Sequence, residues 1–268
     1  MTYRIKPVLL AFSIMGAICG GLPLASANTL EQVMEQKLLR VAIDLNAPPY
    51  GMTDDKMTAI GSDVETANLI ADSLGVKLQI VPTTQANRIP FLLTNKADVV
   101  ISSLSITEER ARVVDFTIPY ADNKAVIAVS KDSPVKELKD LVGKTVVTAR
   151  GTTNDQQVTK QAPPGTNIVR FENDATAITA ITSGQSSIFA TAPSIIGALN
   201  QKYPAKAMDI RIVMSSAKLA IGVAKNNPEI KEKMNELIRA NLKNGKLNEI
   251  YKKYHQTDLP ADVVALGG

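Results

Sequence analysis

The chain has 268 residues, 45% of them hydrophobic, with 30 Lys+Arg against 26 Asp+Glu, one His, one Cys and no Trp. The mild net charge of +4 comes with no lysine/arginine block and no aromatic-basic interleaving, which argues against a nucleic-acid partner. A single cysteine leaves no disulfide framework within the chain.

Residues 1–27 read as a secretory signal peptide. Arg4 and Lys6 form a basic start, and residues 8–22 an apolar stretch too short to span a bilayer comfortably. Ala25-Ser26-Ala27 is a small-x-small cleavage site, so the mature chain is expected to be exported and to start near Asn28. Cys19 follows Ile18, which is not the small residue a lipoprotein signal wants. Removing the signal leaves roughly 240 residues, enough to bury a core in one large or two small lobes. No second apolar run reaches membrane-spanning length.

Strand and helix patterns then alternate. Residues 38–44 read as a strand. Val64, Ala67, Ile70, Ala71 and Leu74 recur at helical spacing, and Gly75 stops that helix. Residues 76–81 read as a strand, 87–93 as a helix and 99–102 as the next strand. This alternation predicts a parallel, doubly wound α/β sheet. The pattern restarts with strands at 125–129 and around Val146-Val147. A further strand at 168–171 precedes a helix bearing Ala175, Ile178 and Ile181. Residues 187–190, 210–214 and 219–223 read as three more strands. Asn227-Pro228 is an N-cap followed by proline at the first helical position. Ile230, Met234, Leu237 and Ile238 line one face of that helix, and Asn244-Gly245 ends it. Leu247, Ile250, Tyr251 and Tyr254 pack a last helix. His255 reads as a solvated surface residue, and residues after about 259 as a loose tail.

The segment Ser102-Ser103-Leu104-Ser105-Ile106-Thr107-Glu108-Glu109-Arg110 follows a buried-strand pattern. It offers hydroxyls and backbone N–H groups, and Thr107 can cap a short helix from Glu108. Arg110 falls in the first turn, where the macrodipole disfavours a cation. A bound carboxylate would relieve that conflict, while an ordinary surface arginine after a polar turn is the equal alternative. Gly151-Thr152-Thr153 follows another strand and precedes a helix; glycine lets a ligand approach and the next N–H groups face an anion. A plain glycine turn with a threonine cap is the other reading.

This Ser-Ser-Leu-Ser-Ile-Thr-x-x-Arg stretch, followed by Val114-Asp115-Phe116-Thr117-x-Pro119-Tyr120, closely resembles the periplasmic polar-amino-acid-binding proteins of ABC importers. Pro48-Pro49-Tyr50, Gly61-Ser62-Asp63-Val64, Asn87-Arg88-Ile89-Pro90, Gly143-Lys144 and Asn244-Gly245-Lys246-Leu247 extend the likeness over nearly the whole mature chain. The resemblance implies a two-lobed periplasmic-binding-protein fold, each lobe a doubly wound α/β sheet flanked by helices, joined by a two-strand hinge. Lobe one would comprise residues 28–122 plus 218–268, and lobe two 123–217. A small-molecule ligand, an amino acid or related carboxylate, would sit between them and pass to a membrane permease. The protein would act as a monomer, without a cofactor.

By the same resemblance Arg110 would hold the ligand's α-carboxylate. Ser105 would add a donor to it, Ser103 would meet the α-ammonium, and Thr153, beside Thr152, would clamp the carboxylate from lobe two. Arg88 looks like the version that meets a distal carboxylate, though a solvated helix residue fits equally. Ala47 and Gln85 stand where relatives that take cationic side chains place aromatics, so an aromatic sandwich is not expected. Asp44 could accept a ligand donor or cap the next turn, and Tyr50 is expected to pack against the lobe wall. One departure concerns Ala192, which stands where the family usually has an aspartate for the α-ammonium. Another acid such as Asp44, hydroxyls near Thr191 and Ser194, or a ligand without a primary ammonium could each answer it. A dehydratase-like enzyme on the same fold and a ligand-sensing subunit for a membrane receptor are the competing functions. The sequence shows no metal-ligand cluster, phosphate loop or nucleophile–base motif.

Overall fold

The computed structural model describes residues 29–268; the signal-peptide reading lies outside them. The chain runs α1 (Leu30–Gln36), β1 (Leu38–Ile43), β2 (Met52–Thr53), β3 (Ala59–Ile60), α2 (Ser62–Leu74), β4 (Lys77–Pro82), α3 (Arg88–Leu93), β5 (Val99–Val100) and α4 (Glu108–Ala111). It continues through β6 (Val114–Ser130), β7 (Thr145–Ala149), α5 (Thr153–Gln161), β8 (Asn167–Phe171), α6 (Asp174–Thr182), β9 (Ile188–Thr191) and α7 (Pro193–Lys202). It closes with β10 (Met208–Ala224), α8 (Pro228–Lys243), α9 (Lys246–His255) and α10 (Ala261–Val264).

Eight strands form one ladder in the order β4-β1-β5-β10-β6-β9-β7-β8. At one end β1 pairs in parallel with β4 and β5, and the end of β10 closes the set antiparallel, Gly222 opposite Val100. The other end repeats the plan: β7 pairs in parallel with β8 and β9, and β6 closes it antiparallel, Val126 opposite Thr191. The molecule is therefore a two-lobed α/β protein whose lobes share two long antiparallel strands, β6 and β10. Each is 17 residues long. The sequence pattern shows only the apolar parts of these strands, 125–129 in β6 and 210–214 and 219–223 in β10. Where the strands cross between lobes, Asp122, Asn123, Lys124, Ser215 and Ser216 are half-buried or exposed, so no alternation marks them. The ladder shifts register four times in this pair, including twice between Leu219 and Gly222.

Packing follows the apolar stripes. In α2, Val64, Ala67, Ile70, Ala71 and Leu74 are buried, and Gly75 ends the helix in a left-handed conformation at φ 69°. In α8, Ile230, Met234, Leu237 and Ile238 are buried as their spacing predicts, with Asn227 capping the Ile230 N–H. The C-terminus is a correction: it is not a loose tail. Leu259 and Val263 are buried, α10 follows Pro260, and Lys218 pairs with Asp262. His255 is also corrected. It stacks on Tyr251 with centroids 4.2 Å apart, its Nε2 lies 3.0 Å from the Ser62 hydroxyl, and burial pushes its pKa down to about 4. A short apolar run with one turn of helix carries too little periodicity to reveal the docked C-terminus. Among the described residues no helix is long and apolar enough to cross a membrane.

Candidate functional site

The carboxyl ends of the parallel strands bring the polar residues together. Asp44 follows β1, Ser102 follows β5, Arg150-Gly151 follow β7 and Ala192 follows β9. Ligands in open α/β sheets gather at such ends. The Asp44 N–H donates to the Ser102 hydroxyl at 2.9 Å, which locks the two strand ends of one lobe side by side. The ends of β7 and β9 face them from the other lobe, and the lobes touch here.

Arg110 is 5% exposed although it sits on a four-residue helix. One turn has little dipole to conflict with, and Thr107 caps it by accepting the Arg110 N–H. The guanidinium turns inward: Nη1 donates to the Ser105 carbonyl at 2.9 Å and Nη2 to the Gly151 carbonyl of the facing lobe at 3.1 Å. Burial, and next the charge of Arg88, push its pKa down to about 9, so it remains a cation at neutral pH. Arg88 is not solvated. It is 2% exposed and donates to the carbonyls of Gln85 (2.8 Å), Ser102 (2.7 Å), Ser103 (3.3 Å) and, across the cleft, Gly151 (3.3 Å). Two buried guanidinium groups thus converge on one carbonyl, and neither has a carboxylate at ion-pair distance among the described residues.

Ser105 Oγ is 3.1 Å from Thr153 Oγ1, a second link between lobes. Ser103 adopts φ 44°, and its N–H reaches the buried Asp63 carboxylate, which also accepts from the Tyr120 hydroxyl at 2.9 Å. The Thr152 side chain is occupied as a cap: it accepts the Asp155 N–H and donates to the Ala149 carbonyl. Gln85 and Ala47 are both buried. Gln85 helps hold the Asp44 carboxylate, whose Oδ1 also accepts the Asn46 N–H at 2.9 Å. The cap reading of Asp44 therefore describes one oxygen; the other, Oδ2, has no partner. Tyr50 does more than pack a wall. Its hydroxyl accepts from Ser194 of the other lobe at 2.8 Å.

A cavity of about 10 Å³ lies among these residues, lined by Tyr50, Gln85, Arg88, Ser103, Thr153, Asp174 and Ala192 with their neighbours. A groove of about 1320 Å³ flanks it, sharing Tyr50 and Asn123. Asp174, Asn123 and Asn154 line the cavity without any of the motifs pointing to them. Asn173-Asp174 reads in sequence only as a helix start, and the cap it makes with Thr176 conceals that the next side chain turns into the cleft. Among the described residues, no group of three or more His, Cys, Asp or Glu side chains is placed to hold a metal ion.

Residues 39–257 match the model of the bacterial extracellular solute-binding proteins, family 3, and the chain belongs to that family. It is 28% identical to the ABC transporter glutamine-binding protein GlnH of Bacillus subtilis over 88% of this chain and 87% of that one. A mutant of ArgBP from T. maritima superposes with a TM-score of 0.78 at 35% identity, covering 85% of this chain and 99% of that one. An ancestral amino acid-binding protein, a precursor of cyclohexadienyl dehydratase, superposes with a TM-score of 0.77 at 30% identity, covering 84% and 98%.

Proposed function

We propose that this protein is a periplasmic receptor that closes on a polar or acidic α-amino acid and delivers it to an ABC permease. The observation that carries the reading is Arg110: a buried cation at the lobe junction, held by carbonyls from both lobes and by no carboxylate. Burying an unpaired charge is costly, and a ligand carboxylate is the planar partner that a guanidinium fork fits best. Ser105 and Thr153 add hydroxyl donors from opposite lobes, so the same carboxylate would draw the lobes together. Ser103 and Asp44 face the ligand's amino end, and Gln85 and Arg88 its side chain. Thr152 shapes the loop rather than touching ligand through its hydroxyl.

In this reading residues 28–122 with 218–268 form one lobe and 123–217 the other, and the receptor works as a monomer without cofactor or catalytic residue. Amino-acid binding is also what similar proteins' names describe, and the name of the Bacillus subtilis relative places it with an ABC transporter. The second reading, an enzyme, rests on one of these neighbours being described as the precursor of a dehydratase, although that neighbour is itself an amino acid-binding protein. The test is a thermal-shift panel on protein unfolded and refolded to strip carried-over ligand. A ligand at a hundred times its dissociation constant adds about 2.7 kcal/mol. A clear shift with one or a few α-amino acids, recovered unchanged after incubation, is expected. No shift with any amino acid, or conversion of the bound one, would overturn the receptor reading.

A further inference from the structure

Two buried carboxylates meet at the lobe junction with one unpartnered oxygen each. Asp174, the first residue of α6, is 2% exposed and its Oδ1 has no hydrogen-bond partner; Asp44 is 1% exposed and its Oδ2 has none. A backbone bond from Ala175 N to Asn46 O, 2.9 Å long, ties the residue after Asp174 to the loop after Asp44. The two acids therefore approach from opposite lobes. Thr191 stands beside Asp174, and its buried hydroxyl also lacks a partner of good geometry.

Helix position does not account for Asp174. An acid in a first helical turn is favoured by the dipole, but that benefit needs no burial and leaves the carboxylate free to take water. Here the side chain lines the cleft cavity together with Ala192, Ser103, Gln85 and Arg88. Arg88 is the nearest cation, yet it spends its donors on carbonyls and makes no ion pair with either acid. Ala192 presents only a methyl group to the same space. A buried carboxylate with an open lone pair, a second one opposite and no cation in contact among the described residues fit a positively charged donor brought from outside.

Resting on the receptor reading above, we propose that Asp174 receives the α-ammonium of the ligand, with Asp44 as a second acceptor from the facing lobe. The ligand class narrows accordingly to α-amino acids with a free ammonium, and N-blocked amino acids and plain carboxylates are refused. Arg110 and the Asp174–Asp44 pair then hold the carboxylate and the ammonium of one zwitterion, respectively. The groups facing Asp174 are Asp44 from the β1 loop, Arg88 from α3, Tyr50 from the adjoining loop and Thr191 from β9. Burial, and next the charge of Asp44, raise the pKa of Asp174 to about 7. Salt-bridging an ammonium requires the ionised form, so binding near that pH releases a proton.

The test compares the purified protein with Asp174→Asn, which keeps the shape and removes the charge. The probes are the protein L-amino acids and L-cystine, each beside the carboxylic acid lacking its α-ammonium, titrated calorimetrically. The original protein should prefer the amino acid by about 100-fold or more, and Asp174→Asn should lose most of that preference. An unchanged preference in Asp174→Asn overturns the assignment of Asp174 and leaves the receptor reading intact. Binding of no amino acid by the original protein overturns both. Should Asp174→Asn not fold, titrations of the unmutated protein at pH 6.5 in two buffers of different ionisation enthalpy decide. Net proton release supports the assignment, and equal affinity for an amino acid and its counterpart lacking the α-ammonium overturns it.

Discussion

Ser105 and Thr153 place their hydroxyl oxygens 3.1 Å apart, although 48 residues separate them in the chain and they belong to different lobes. Each is delivered by a strand end: Ser105 by the turn after β5, bridged to Leu219 on β10, and Thr153 by the first turn of α5. The pair fixes where a carboxylate held by Arg110 would sit, because the Arg110 Nη1 donates to the carbonyl of Ser105 itself.

Replacing Arg110 tests that placement. Arg110→Ala should cost about 2–5 kcal/mol of amino-acid binding, the range for truncating one partner of a buried charge pair. Arg110→Lys should fall between, since an ammonium cannot form the bidentate fork. Calorimetric titration reads both. Full affinity in Arg110→Ala would move the carboxylate site elsewhere.

Gly151 brings its backbone close to the facing lobe. Its φ is 75°, and a Cβ there would stand 2.8 Å from the Ala86 Cα. Gly151→Ala should therefore hold the lobes apart as well as strain the turn, the latter by roughly 1–2 kcal/mol. Ligand affinity should fall at least about tenfold, one decade per 1.4 kcal/mol, while far-UV circular dichroism stays unchanged. Retained affinity would show that the loop yields without cost.

The Tyr50 hydroxyl accepts from Ser194 across 144 positions of sequence. Tyr50→Phe removes the bond from Ser194, worth about 1 kcal/mol, together with a longer one to Asn123 Oδ1 at 3.4 Å, and leaves the ring tilted against His255. Ligand release followed by stopped-flow should accelerate about fivefold, with the order of preferred amino acids unaltered. A changed order would mean that Tyr50 reads the ligand rather than latching the lobes.

The buried acids give the ligand-free protein a distinctive pH response. Burial, above all, raises Asp174 and Asp63 to about 7, against an ordinary value of 3.8. The folded state thus holds protons that the unfolded chain has lost between those values. Stability from these groups is fully present below pH 3.8 and declines as pH rises toward 7. Asp174→Asn removes one such group, so its thermal midpoint relative to the unmutated protein should become more favourable from pH 5 to pH 8. A difference independent of pH would mean Asp174 ionises freely in the folded protein.

Much of this arrangement is legible in the sequence because it rests on local rules. Thr107, Thr152 and Asn227 cap the helices that their positions announce, and the apolar faces of α2 and α8 are buried as their periods require. The convergence of Arg88 and Arg110 on one carbonyl is not local; it depends on docking β7 against β5 through the two long strands. Asp174 was hidden for the same reason. The capping box of Asn173 and Thr176 beside it satisfies every local expectation, while its burial is created by the Asn46 and Tyr50 segment of the other lobe. His255 is concealed differently: it lies in a mostly charged last turn, yet Tyr50, Tyr251 and Ser62 enclose it from three directions.

The central claim is that an amino acid binds between the lobes and draws them together. Small-angle X-ray scattering of the stripped protein, with and without the amino acid selected by the thermal-shift panel, tests it most directly. The account predicts a smaller radius of gyration on saturation, absent in Arg110→Ala. Saturable binding with an unchanged radius of gyration would contradict it, because the ligand would then sit outside the junction that Arg110, Ser105 and Thr153 define.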